Sequence, residues 1–355
     1  MEILRYPSEE CWGALCRRAL ADKATEVEQT VAGIINEVAR RGDAAIFDYE
    51  RRFTGANLKS LKVTEEEIDE AATLVDDTLK EALAAAAANI GAFHSAQLMK
   101  SPVMVETAPG VTCRQQALPI DRVGLYIPGG NSPLFSTVLM LAIPARIAGC
   151  GEIILCTPPG ADGKIHPAIL YAARLAGVHT IFKTGGAQAI AAMACGTESI
   201  PKVYKIFGPG NRFVMEAKQQ VSRHNVAIDM PAGPSEVLVI ADDAANPQFV
   251  AADFLSQAEH GPDSQSILLT DSPRLIEELP GVIDSLLSQL PRQEMMRQSL
   301  SHSRLILLHD TQEMMRFSNL YAPEHLIINH READTLADMA VSYTHLRAHE
   351  TLMNL

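Results

Sequence analysis

The stretch RVGLYIPGG (Arg122–Gly130) is a short apolar run ending in a proline and two glycines, as expected of a buried strand that delivers the chain to a tight turn. Similar apolar runs follow at Ile153–Cys156, Thr180–Lys183 and Lys205–Phe207. Between them lie Phe135–Ala148, His166–Leu175, Ala187–Ala194 and Asn211–Val221, each long enough for a crossover helix. Parallel neighbours need a crossover of roughly a dozen residues, so this alternation predicts a parallel sheet covered on both faces.

A second series begins at Glu236, with strands expected at Val237–Ala241, Ser266–Thr270, Arg304–Leu308 and Leu326–Ile328, and helices at Pro247–Glu259 and from Thr311. Two α/β modules follow from this. Their boundary lies near MPAGP (Met230–Pro234), which suits a linker and a binding loop equally. Upstream, the first hundred or so residues read as mostly helical. Val27, Val31, Ile34, Ile35 and Val38 recur at helical spacing up to Gly42, Asp43 can cap a second helix through Phe47, and Thr64 opens a glutamate- and alanine-rich stretch to Phe93.

The composition is that of an ordinary globular protein, 47% hydrophobic and 21% charged, with a formal net charge of −13. A surplus of carboxylates and no basic run longer than a pair exclude a nucleic-acid footprint. No apolar run reaches the roughly 18 residues of a membrane span, and the start, MEILR, lacks the features of a secretory signal, so a cytoplasmic location is expected. Six cysteines without CxxC spacing disfavour a thiolate metal site or a disulfide framework.

Three stretches can carry chemistry. Glycines gather just after expected strands, at Gly129-Gly130, Gly185-Gly186 and Gly208-Pro209-Gly210, where backbone N–H groups can approach a phosphate; none fits the G-x-G-x-x-G fingerprint, and each alone is equally a plain turn. Gln257 and His260, three apart near a helix end, share a face and read either as a surface or capping pair or as half of a metal site. In APEH (Ala322–His325) a carboxylate stands beside an imidazole at the start of a strand: a histidine can remove a hydroxyl proton near neutral pH, and a glutamate can activate water. Taken alone, that pair is also compatible with a structural histidine and a solvated glutamate.

Together and in order, VGLYIPGG (Val123–Gly130), GGAQAIAA (Gly185–Ala192), KIFGPGN (Lys205–Asn211), DMPAGPSEVL (Asp229–Leu238), LSQAEHGPDSQ (Leu255–Gln265) and PEHL (Pro323–Leu326) resemble the motifs of histidinol dehydrogenases. The resemblance runs from about the first helix to around residue 340. It implies two incomplete Rossmann-like domains with parallel sheets flanked by helices, in an intertwined homodimer. The expected organisation is a helical N-terminal segment (1–25), a first α/β domain from 26–121 with 236–340, and an inserted NAD-binding α/β domain (122–235). It further implies that Tyr126, Gln188 and Asn211 contact NAD, that Ser235, Gln257, His260 and His325 contact substrate, that Gln257 and His260 are two of four zinc ligands, and that Glu324 and His325 are the catalytic pair. The reaction implied is oxidation of L-histidinol to L-histidinaldehyde and then to L-histidine, with zinc and two NAD in succession.

The family's other zinc ligands, an Asp and a His, and a substrate-binding Glu have no expected counterpart here. From about residue 341 the chain reads VSYTHLRAHE, unlike the family, and is expected to be a tail (341–355) foreign to the fold; His345 and His349 then imitate a metal pair only by coincidence. Impaired zinc binding and turnover are expected. Two other readings use the same residues: a zinc and NAD dehydrogenase of another alcohol, such as a sulfonated diol, and a non-catalytic NAD-binding fragment.

Overall fold

The chain opens with strand β1 (Glu2–Arg5) and helix α1 (Glu9–Leu15) and continues through four helices, α2 (Ala24–Arg41), α3 (Asp43–Phe53), α4 (Glu65–Leu74) and α5 (Asp77–Ala96). Side-chain caps set two of these starts: Thr64 and Glu67 form a reciprocal capping box at α4, and Asp76 accepts from the Leu79 N–H at α5. An antiparallel hairpin, β2 (Val103–Ala108) with β3 (Val111–Gln115), comes next. Strands and helices then alternate as β4 (Arg122–Tyr126), α6 (Phe135–Ile147), β5 (Glu152–Thr157), α7 (Pro167–Leu175), β6 (Thr180–Lys183), α8 (Gly186–Cys195), β7 (Lys205–Phe207), α9 (Arg212–Ser222) and β8 (Ala227–Ile228). The second series comprises β9 (Glu236–Ala241), α10 (Pro247–Ala258), β10 (Gln265–Thr270), α11 (Pro273–Leu287), α12 (Gln293–Ser301), β11 (Arg304–Leu307), α13 (Thr311–Tyr321), β12 (His325–Asn329), α14 (Ala333–Met339) and β13 (His345–Ala348). The structure is a computed structural model and describes residues 1–18, 24–129, 133–224, 226–229, 236–343 and 345–348.

These elements form two compact units, Lys23–Ala232 and Met1–Asp22 with Gly233–Leu355. In the first, β6-β5-β4-β7-β8 make a five-stranded sheet, parallel throughout. Successive strand residues point to opposite faces, so Val123, Leu125 and Leu155 join one core while Tyr126, Ile154 and Cys156 join the other. Helices α4 to α7 cover the former face and α2, α3, α8 and α9 the latter. In the second unit, β1-β11-β10-β9-β12-β13 form a six-stranded parallel sheet. Val237, Val239 and Leu268 face α10, α11 and α12; Leu238, Ile240 and Ile267 face α1, α13 and α14.

Three expectations need correction. Residues 26–121 do not join 236–340: α2 packs on α8 and α9, α4 on α7, and α5 on α6, so these helices belong with the five-stranded sheet. Their apolar stripes were legible, but a stripe does not say which sheet it will cover. The N-terminal segment is not purely helical, because β1 pairs with β11 from Glu2↔Arg304 to Arg5↔Leu307. The expected tail is not wholly outside the fold either, since β13 pairs with β12 from His345↔His325 to Ala348↔Ile328. An open sheet edge offers unpaired N–H and C=O groups to any extended segment within reach, whatever its apolar pattern. The rest of that tail, 349–355, lies outside the described residues. The β2–β3 hairpin was also unforeseen; every residue in it is exposed, so no burial alternation marks it.

Candidate active site

In the first unit a cavity of about 930 Å³ lies beyond the carboxyl ends of the central strands, where ligands bind in open parallel sheets. Tyr126 at the end of β4, Pro128 and Gly129 after it, Thr157 at the end of β5, Gly186 at the start of α8 and Asn211 at the cap of α9 all line it. All three glycine-rich loops thus contribute to one cavity. Three helix N-termini, those of α7, α8 and α9, reach it, which favours an anionic ligand group. The Thr157 hydroxyl on its wall is buried without a hydrogen-bond partner.

Each loop is held by a polar contact. The Tyr126 hydroxyl accepts from the Gly186 N–H at 3.0 Å, leaving its own proton to donate, and burial pushes its pKa up to about 12. Asn211 caps α9 by accepting from the N–H groups of Phe213 and Val214, at 3.0 and 3.2 Å. Gly208 has φ of 134°, and a Cβ there would strike the Tyr126 carbonyl oxygen. Its N–H donates to Asp229 at 2.7 Å, its carbonyl accepts from Lys218 Nζ at 2.8 Å, and Lys218, 1% exposed, pairs with Asp229. Gln188 is 2% exposed and does not line the cavity; it lies beneath Gly186, where a Cβ would come within 2.7 Å of its amide oxygen.

In the second unit Glu324 and His325 stand at the head of β12, half-buried, with Glu324 Oε1 3.8 Å from His325 Nε2. The loop carrying them is anchored by Arg18. Its guanidinium donates to Glu236 at 2.7 Å and to the carbonyls of Tyr321 and Ala322 at 3.0 and 2.9 Å, and it lies 4.9 Å over the Tyr321 ring. The Glu236 carboxylate also accepts from the Glu324 backbone N–H; burial raises its pKa against the opposing pull of Arg18. Ala322 turns the chain in the left-handed region, with φ of 51°.

Gln257 is buried near the end of α10, its side-chain nitrogen without a partner, and His260 follows beyond the helix, exposed. The amide oxygen of Gln257 and the imidazole of His260 are acceptable zinc ligands, but two donors fill half of zinc's usual four positions. Among the described residues no three His, Cys, Asp or Glu side chains come together to hold a metal ion, so the zinc fit is partial. Ser235 lies outside the described residues.

Glu50, Lys218, Asp229, Arg18 and Glu236 were not singled out from the sequence. A signal existed for three of them: Glu50 and Lys218 occupy apolar-spaced positions on buried helix faces, and Glu236 begins an otherwise apolar strand.

Among the described residues no helix is long and apolar enough to cross a membrane. The sequence pattern of the family described as "Histidinol dehydrogenase" matches residues 17–345. A histidinol dehydrogenase of Bacteroides thetaiotaomicron is 57% identical over 328 residues, 92% of this chain and 76% of that protein. One from Salmonella typhimurium is 53% identical over 337 residues, 94% of this chain and 76% of that protein. The crystal structure of histidinol dehydrogenase from Elizabethkingia anophelis superposes with a TM-score of 0.94 at 47% identity, covering 98% of this chain and 79% of that one. Agreement of sequence and fold over this length admits one assignment, and the chain belongs to the histidinol dehydrogenase family of oxidoreductases.

Proposed function

We propose that this protein oxidises L-histidinol through L-histidinaldehyde to L-histidine, using NAD as the oxidant. The observation that carries the reading is the carboxylate–imidazole pair Glu324–His325 held at the head of a strand in a chain of this family. In the alcohol step His325 removes the hydroxyl proton. In the aldehyde step Glu324 takes a proton from the water that attacks the carbonyl carbon, so no cysteine nucleophile is required. NAD, when bound, supplies the hydride acceptor for each step. Tyr126 and Asn211 are assigned to its site, with Gln188 supporting the site from beneath; the cavity's position and its three helix N-termini support this.

Gln257 and His260 are the residues that would hold zinc, which when bound would orient the substrate's imidazole and amine. Their fit is partial, and no step is routed through the metal. Ser235 is proposed to contact substrate, the assembly is proposed to be a homodimer, and the location cytoplasmic.

The test is NADH formation from L-histidinol with added zinc. Turnover supports the reading. Turnover of a sulfonated diol but not of L-histidinol would move the assignment to another alcohol, and NAD binding with no turnover of either would favour a non-catalytic NAD-binding role.

A further inference from the structure

Glu50 accepts from three donors of one loop. It lies in α3, with 0% of its surface exposed, and its Oε1 receives the Thr184 hydroxyl at 2.9 Å, the Gly185 N–H at 3.0 Å and the Gln188 side-chain nitrogen at 2.9 Å. Those donors span the turn from β6 into α8, more than 130 residues away in sequence. That turn ends in Gly186, which lines the cavity and donates to Tyr126. Glu50 itself does not line the cavity. Its other oxygen, Oε2, is buried without a hydrogen-bond partner, so the carboxyl's bonding is concentrated on the loop.

We propose that Glu50 is a positioning residue for the nucleotide: by gathering Thr184, Gly185 and Gln188 onto one oxygen it fixes the height and direction of the Gly185–Gly186 turn, and with it the floor that receives NAD. The inference rests on the reading of the cavity as the NAD site. A buried carboxylate with one oxygen unpaired is retained at a cost. An apolar residue of similar volume would fill the same core, but it would leave a hydroxyl, a backbone N–H and an amide unsatisfied at the base of the cavity. Burial raises the Glu50 pKa, bringing its neutral form closer; glutamine is isosteric with that form and keeps the acceptor oxygen.

The experiment is calorimetric titration of the full chain with NAD, alongside thermal melts, for the unaltered protein, Glu50→Ala, Glu50→Gln and Thr184→Val. The expected result is that Glu50→Ala weakens NAD binding about tenfold or more and Glu50→Gln stays within about threefold of the unaltered protein, the size of effect that unsatisfied donors produce. A residue of purely structural importance would lower the melting midpoint without this rescue of affinity. Equal NAD affinity in a folded Glu50→Ala, or equal loss in Glu50→Gln and Glu50→Ala, overturns the proposal while the NAD reading stands. If Glu50→Ala does not fold, Thr184→Val decides: weaker binding supports the proposal and unchanged binding overturns it. Failure of the unaltered protein to bind NAD overturns the reading of the cavity, and the proposal with it.

Discussion

Glu324 and His325 are neighbours in sequence, and within a strand neighbours point to opposite faces. Here β12 begins only at His325, and Glu324 still belongs to the bend that follows the left-handed Ala322, so the two side chains turn toward one another. If His325 is the base of the alcohol step, His325→Ala should lower kcat for L-histidinol by about 10²- to 10⁴-fold, the usual span for a general base. Glu324→Gln should release the first equivalent of NADH while slowing the second, which single-turnover absorbance would resolve. Arg18 acts on this pair from behind. Removing it leaves Glu236 buried without its counter-charge; because the Arg18 side chain is a third exposed, Arg18→Ala should destabilise by about 2 kcal/mol, less than a fully buried pair would. Denaturant melts would measure that loss, and NAD titration should show unchanged affinity, since Arg18 belongs to the other unit.

At the scale of elements, close packing decides which strand–loop junctions tolerate change. Gly124 sits mid-β4 beneath α8, where a Cβ would come 2.6 Å from Met193 Sδ; the thioether is flexible, so Gly124→Ala should cost about 1–2 kcal/mol. Gly208 is different. Its added Cβ would meet backbone, the Tyr126 carbonyl, which cannot yield without moving β4, and its φ is unfavourable for any other residue. Gly208→Ala should therefore destabilise by about 3 kcal/mol or more and weaken NAD binding. Thermal melts of the two variants would rank them, and a milder Gly208→Ala would refute the argument. The central strands of both series and the crossover helices α6 to α10 and α13 were readable because each is a distinct apolar or amphipathic run, whereas α11, α12, α14 and β8 were not foreseen. The β2–β3 hairpin and β1 carry no such pattern.

At the scale of the whole molecule, two of the three buried carboxyls among the described residues, Glu50 and Glu236, respond to pH in one sense, while Asp242, buried but bonded by Arg331, is shifted the other way. Burial raises both Glu50 and Glu236, so each contributes stability that is full below the usual carboxylate range and is lost as pH rises through its raised value. The stability of the unaltered protein relative to Glu50→Gln should accordingly fall as pH increases from the acid side, and melting midpoints measured across pH would show it; a gap that widens with pH would contradict the assignment. Zinc gives a second molecule-wide test. With Gln257 and His260 alone assigned as donors, binding should be weak enough for a mild chelator to strip, and His260→Ala should abolish it.

The sequence by itself determined the central alternation of strands and helices and the places where candidate chemistry gathers: the glycine loops, the Q-x-x-H pair and the PEH turn all lie in local spacing. Only the tertiary structure decided which parts belong together. It assigned α2 to α5 to the five-stranded sheet, paired β1 and β13 with sheet edges, and brought Glu50 onto a turn more than 130 residues away. The reason is physical. Periodicity states that a face will be buried, whereas the partner that buries it is chosen by shape and by long-range hydrogen bonds, which leave no mark on the neighbouring residues.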